Sequence, residues 1–289
     1  MNWIFNFVCI TLMCISSKTD INAQVLDLGK QQIELSGVHN ARQLGGYRIG
    51  DKSIKDGVLL RSAKLSGMPG KDSLLLCEKY KLQRIYDFRG ETEAIAAPDI
   101  VPGNAGYVPL YISFSKDEKS ATFKPESEQM LIAMLLEHAE NPLLQAMCTN
   151  MYDMLFFDEA SQIVYRRFFA DLVALNPEDG AVLWHCTQGK DRAGCASAML
   201  LAALGADRDL IMADFSLSKS YYDSRIAQIP TKNEAQRTVI NTLISANPEI
   251  FEATLDKIDA KYGSIQNYLV ECIGVTPEMM ETLRAMYLE

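Results

Sequence analysis

Cys186 and Arg192 stand six positions apart in the stretch His185-Cys186-Thr187-Gln188-Gly189-Lys190-Asp191-Arg192. A thiolate is the nucleophile of cysteine chemistry, and a guanidinium offers a planar fork that holds two oxygens of a phosphate. The apolar run Ala181 to His185 before them has the length and flanks of a strand, and Ala193 to Leu204 after them has the pattern of a helix. The residues from Cys186 to Arg192 must then form a tight loop between a strand's carboxyl end and a helix's amino end. Unpaired backbone N–H groups converge at such a place, and the helix adds roughly half a positive charge there, so an anion is favoured. The same field favours the thiolate of Cys186. A single thiolate in an anion cradle points to attack on phosphorus and a phosphocysteine intermediate. Thr187, Gln188, Gly189, Lys190 and Arg192 are expected to bind the phosphate, and His185 to hold the loop or tune the thiol.

Other chemistries fit these residues less well. Gly189-Lys190 suggests a nucleotide-binding loop, yet Trp184 stands where the first glycine of that motif belongs and Asp191 where its serine or threonine belongs. Sulfur transfer through a persulfide on a similar cysteine loop is an alternative. His39 and His138, the other histidines, have no metal-ligand spacing, so neither a metal nor another cofactor is expected.

The elements that must position the loop are legible as alternation. Gly57 to Arg61, Arg84 to Phe88, Tyr107 to Leu110 and Ala181 to His185 read as strands; Met130 to Ala139, Gln162 to Leu175, Ala193 to Leu204, Asp209 to Ser218 and Ala235 to Ser245 read as helices. The pattern implies an α/β fold with a mainly parallel central sheet flanked by helices. Residues from about 116 to 160 interrupt the alternation as a helical insertion, either a lid over the site or extra core helices. A final helix is signalled by Thr276 as cap, Pro277 in its first turn and Glu278 at its positive end.

The 289 residues carry 48% hydrophobic residues and a formal net charge of −9, which argues for a folded core and against nucleic acid as a partner. Trp3 to Ile15 is apolar but too short to span a bilayer comfortably, and the polar stretch Ser16 to Ala23 follows. Residues 1–23 are therefore read as a signal peptide and residues 24–289 as one domain, secreted or periplasmic, without a stable membrane span in the mature chain. That would leave Cys77, Cys148, Cys186, Cys195 and Cys272, an odd set without paired spacing, which does not suggest a disulfide scaffold. Cys195 is read as a small core residue, with a protective disulfide to Cys186 as the alternative.

His185 to Gly194 resembles the HCxxGKDR-x-G loop of bacterial tyrosine-protein phosphatases, atypical relatives of the dual-specificity group that act on phosphotyrosine, phosphoserine/threonine and phosphoinositides. Gly37 to Gly46, Leu60 to Leu65 and Asp87-Phe88-Arg89 resemble that family's N-x-R-D-x-G-G, R-S-x-x-L and D-L-R elements, and Gly263 to Thr276 its C-terminal helix pair. The resemblance implies a protein tyrosine phosphatase fold of the dual-specificity type. It implies that Asp191 is the general acid inside the loop and that Lys190 favours phosphoinositide heads. A deep pocket would favour phosphotyrosine, and basic residues around its rim, such as Lys190 and Arg42, a polyphosphorylated ring. Substrates would be a phosphorylated protein, a phosphoinositide or an inositol phosphate. Asp87, at a strand's carboxyl end, is a second-choice acid behind a role as structural partner of a nearby arginine. Two positions depart from the pattern: Gln43 replaces an aspartate, and Ala193 replaces a hydroxyl residue that helps the thiolate leave the phosphoenzyme. These departures raise the alternative of a catalytically weak phosphate-binding module, and predict a slow second step.

Overall fold

The computed structural model describes residues 28–114 and 128–289; the expected signal peptide and the first part of the expected insertion lie outside them. A five-stranded sheet runs in the order β1 (Arg42–Gln43), β4 (Leu59–Ser62), β7 (Val182–His185), β5 (Arg84–Asp87), β6 (Gly106–Pro109). A small hairpin, β2 (Arg48–Ile49) with β3 (Lys52–Ser53), stands apart. The pairs β4–β7, β7–β5 and β5–β6 are parallel, and only the edge strand β1 is antiparallel. The sheet is thus mainly parallel, with β7 in the middle and Cys186 at its carboxyl end, where the open crevice of such sheets collects ligands.

Every residue of β7 and β4 is buried. Alternate residues face opposite cores: Leu59, Tyr86, Val182 and Trp184 join the larger one, and Leu60, Ile85 and Leu183 the smaller. Before the last strand of the sheet come α1 (Leu28–Gln31), α2 (Gly70–Glu78), α3 (Glu91–Ala96), α4 (Glu128–Glu137), α5 (Pro142–Thr149), α6 (Met151–Phe157) and α7 (Glu159–Leu172). After it come α8 (Arg192–Leu204), α9 (Arg208–Ile226), α10 (Glu234–Leu243), α11 (Pro248–Tyr262), α12 (Ile265–Tyr268) and α13 (Pro277–Tyr287). The hydroxyl of Thr276 accepts from the Met279 amide and caps α13.

Buried on every residue, α8 is apolar all round apart from Arg192 and Ser197, as a central helix must be. Its alanines and Gly194 permit close neighbours: a Cβ on Gly194 would lie 3.2 Å from the Phe215 ring and 3.3 Å from Arg61 Nη2. The described part of the insertion serves two ends. Leu135, Ala139 and Cys148 pack with Val239 and Ile240 in a satellite core, while Tyr152, Leu155 and Phe156 belong to the main one; other side chains of α4 to α6 wall the pocket described below. Among the described residues no helix is long and apolar enough to cross a membrane.

Candidate active site

The loop Cys186 to Asp191 is held from behind by its carbonyls. The Thr187 carbonyl accepts from the Lys64 amide at 3.3 Å. The Gln188 carbonyl accepts from Asn40 Nδ2 at 3.1 Å and from the Tyr222 hydroxyl at 2.6 Å. Arg61 Nη2 donates to the Gly189 carbonyl at 2.8 Å and reaches the Lys190 carbonyl at 3.5 Å. No peptide bond here is cis, so each following N–H points opposite to its carbonyl. The amides of Gln188, Gly189, Lys190 and Asp191 are thereby turned to the other side of the loop as an anion-binding nest. Gly189 is required for this path: its φ is +70°, and a Cβ would stand 2.3 Å from the Ser62 carbonyl oxygen.

Arg61 is itself fixed by a buried charge cluster. Asp214 on α9 receives Arg61 Nη1 at 2.5 Å, Arg42 Nε at 3.1 Å and the Tyr47 hydroxyl at 3.0 Å, while Arg42 also binds Asn40 Oδ1. Burial and the charge of Arg42 push Arg61 down to about 10 against the pull of Asp214, so it remains a cation at neutral pH. Arg42 is fully buried, not on the rim where a polyphosphorylated substrate would meet it. Pairing of β1 with β4 sets Arg42 opposite Arg61, and both turn inward to the one carboxylate that α9 supplies.

Arg192 opens α8, and its terminal nitrogens are taken by Glu93 of α3. Nη1 meets Glu93 Oε2 at 2.5 Å and the Ile112 carbonyl at 3.0 Å; Nη2 meets Glu93 Oε1 at 3.0 Å and Thr187 Oγ1 at a long 3.4 Å. Thr187 Oγ1 donates to Glu93 Oε1 at 2.5 Å. Arg192 Nε is buried and has no hydrogen-bond partner among the described residues. A guanidinium held at its far end in this way offers its Nε/Nη2 edge, and a buried donor without a partner is costly unless a ligand takes it. Burial works against the charge of Arg192, but the Glu93 bond and the Cys186 thiolate more than offset it and hold the guanidinium above the usual arginine range. Burial would raise Glu93, yet Arg192 brings it down to about 2. The residue patterns do not single out Glu93 as a partner; its place four residues after Asp87-Phe88-Arg89, in the first turn of α3, was the available signal.

Cys186 is 2% exposed at the base of a cavity of about 410 Å³, beside Thr187, Gln188, Lys190, Asp191 and Arg192. Glu93 and Arg225 also line it, and the remaining wall is apolar: Phe114, Leu131, Met147, Met151, Met154, Leu243 and Ile244. Lys190 reaches into this region but is 1% exposed, not a free rim cation. Its Nζ donates to Asp191 Oδ1 at 3.0 Å, to Oδ2 at 2.9 Å and to the Thr242 carbonyl at 2.9 Å. A backbone carbonyl from the end of α10 thus draws Lys190 inward, a partner that lies 52 residues further along the chain. Asp191 also accepts the Tyr152 hydroxyl at 2.9 Å, and it lines the same cavity as Cys186.

Asp87 lies apart from this work. Fully buried, it binds Arg89 through both oxygens at 2.9 and 2.7 Å and receives the Tyr107 hydroxyl at 2.6 Å. Burial alone would raise it; the charge of His185 and the bonds from Arg89 and Tyr107 bring it to about 2, so it carries no proton to give at neutral pH. Arg89 also binds Asp99 Oδ2 at 2.7 Å, and Asp99 lies 3.1 Å from His185 Nε2. Asp87, Asp99 and His185 could together surround a cation, but the Arg89 guanidinium already bridges the two carboxylates. His185 sits in this buried polar cluster behind Cys186, its Nδ1 3.3 Å from the Cys186 carbonyl oxygen, at the end of β7. Gln43 Oε1 accepts from the Gly57 amide at 2.6 Å, joining β1 to the turn before β4. Ala193 and Cys195 are wholly buried in the main core, and the described cysteines are free thiols.

The Tyrosine phosphatase family profile matches residues 33–289. A tyrosine-protein phosphatase candidate of Cupriavidus necator is 26% identical over 298 residues, covering 100% of this chain and 99% of its own. The triple specificity protein phosphatase PtpB of Mycobacterium tuberculosis is 29% identical over 123 residues, 37% of this chain and 44% of its own. The core catalytic domain of the PP-IP phosphatase SIW14 from S. cerevisiae aligns with 78% of this chain and 94% of its own at 14% identity, with a TM-score of 0.26, too low to bear on fold or substrate. The profile takes in the loop, Glu93, Asp214 and every strand that positions them, and the chain belongs to the tyrosine phosphatase family, as a cysteine-dependent phosphatase.

Proposed function

We propose that the chain hydrolyses aryl phosphate monoesters, phosphotyrosine foremost, with Cys186 as nucleophile and Asp191 as acid and then base. The Cys186 thiolate forms the S–P bond while the P–O bond to the leaving group breaks, and Asp191 delivers its proton to that oxygen. Water then attacks the phosphocysteine and gives a proton to Asp191; the S–P bond breaks, and inorganic phosphate and the thiolate are released. The loop amides and the free edge of Arg192 hold the phosphoryl oxygens throughout, where charge builds up.

The observation that carries the choice of substrate is the wall of the cavity. Above the loop it is lined mostly by apolar side chains, Phe114, Leu131, Met147, Met154, Leu243 and Ile244, with Arg225 the cation among them beyond the loop and Lys190 bound inward to Asp191 and Thr242. An apolar mouth over a single phosphate cradle suits an aromatic ring with one phosphate, whereas an inositol polyphosphate would set further anionic groups against methionine and leucine, at a desolvation cost. The expected result is a kcat/KM on phosphotyrosine peptides at least about tenfold above that on inositol hexakisphosphate or on a phosphoinositide in mixed micelles. Phosphate release measured side by side on these substrates checks it, and a preference for the inositol compounds would overturn the assignment.

A further inference from the structure

Asp191 occupies the residue just before α8, where an aspartate ordinarily turns back to accept the helix's first free amides. Here its side chain makes no such bond. The carboxyl group is instead held away from the helix by Tyr152 and Lys190. These two donors differ in kind. The Lys190 ammonium, on a flexible stem, touches both oxygens at 3.0 and 2.9 Å. The Tyr152 hydroxyl touches Oδ1 alone at 2.9 Å, and its ring is wholly buried and set edge-on to Phe215 and Phe251 with centroids 5.5 and 5.3 Å away. Full burial and packing against this stacked pair, whose own centroids are 3.9 Å apart, fix the ring and with it the position of its oxygen. Burial, and then the charge of Asp191, hold the phenol well above its ordinary range, so it keeps its proton and donates to Asp191, while the Asn247 backbone amide donates to the phenol oxygen.

We propose that Tyr152 is a positioning residue for the general acid: by binding Oδ1 it keeps the Asp191 carboxyl group off the helix cap and leaves Oδ2 as the oxygen that gives and takes the proton. The inference rests on the reading of Asp191 as acid, and gives α6 of the insertion a part in the chemistry as well as in the wall of the cavity. Lys190 must release Oδ2 when that oxygen carries a proton, and the Thr242 carbonyl remains to hold the ammonium.

Tyr152→Phe removes the hydroxyl and keeps the ring. The test is kcat/KM, which covers the steps up to phosphoenzyme formation, on phenyl phosphate and on 2,4-dinitrophenyl phosphate, whose leaving group departs without a proton. Tyr152→Phe should lose about ten- to a hundredfold on phenyl phosphate and less than about twofold on the dinitrophenyl ester, and Asp191→Asn should show the same split with a loss of about 10²-fold or more. The ratio between two substrates in one sample is independent of the fraction of enzyme folded. An equal loss on both esters, or none, in Tyr152→Phe while Asp191→Asn shows the split would overturn the role of Tyr152. Absence of the split in Asp191→Asn would instead remove Asp191 as acid, and the inference with it.

Discussion

Cys186→Ser should lose at least about 10⁴-fold in phosphate release and keep its fold and its affinity for phosphate. Serine is nearly the same size as cysteine, and Cys186 is 2% exposed with no disulfide to lose. What changes is the attacking atom: Arg61 and Arg192 stay charged around it, and a serine hydroxyl is a far weaker nucleophile than a cysteine sulfur at neutral pH. The cradle itself is untouched, since the carbonyls of Gln188 and Gly189 are still held by Tyr222 and Arg61, and Arg192 by Glu93. Turnover of a small aryl phosphate, together with the rise in melting temperature on adding inorganic phosphate, checks both halves of the expectation. Hydrolysis by the purified variant at anything near the wild-type rate would remove Cys186 as nucleophile. The same assay on wild-type protein bears on Ala193, whose lack of a hydroxyl beside the loop predicts slow breakdown of the phosphoenzyme.

Asp214→Asn carries the largest expected effect on stability. Its carboxylate faces two guanidinium groups that are wholly buried, Arg42 at 3.1 Å and Arg61 at 2.5 Å. Asparagine preserves the shape and removes the charge, which leaves two buried cations without their shared anion. Breaking one buried pair in this way costs about 3 to 5 kcal/mol, a large part of the roughly 5 to 15 kcal/mol that holds a domain folded. The melting temperature should fall by about 6 to 20 °C, and a fall of less than about 3 °C would show that the cluster contributes little. Activity should fall beyond what unfolding explains, because Arg61 is also the donor that turns the Gly189 carbonyl away from the phosphate site.

The same carboxylates govern behaviour in acid. Burial would raise Asp214, but Arg42 and Arg61 lower it; Arg192 and His185 with Arg89 likewise bring Glu93 and Asp87 to about 2. An unfolded carboxylate takes up its proton near pH 4, so these groups stabilise the fold fully above that pH, and the contribution is lost as the pH falls from about 4 towards 2.

Some of this was legible in the residues alone, for a physical reason. Cys186 to Arg192 is contiguous, so Cys186, Asp191 and Arg192 are brought together by the local backbone: an apolar strand, a turn that only Gly189 permits, and a helix start. The alternation of β4, β5, β6 and β7 with helices likewise shows as local periodicity, and the mainly parallel sheet follows from it. What only the tertiary structure decided are the partners of those residues. Glu93 and Arg192 lie 99 positions apart, Arg42 and Asp214 172, and Tyr152 and Asp191 39. A charged residue is exposed by default, so no pattern in the chain marks Arg42, Asp214 or Lys190 as buried. Strand order sets Arg42 beside Arg61, helix packing delivers Asp214 and Tyr152, and the end of α10 draws Lys190 inward. The sequence by itself determined that a cysteine and an arginine share one anion-binding loop at a strand's end; long-range packing decided which groups hold that arginine and Asp191, and which side chains line the cavity above them.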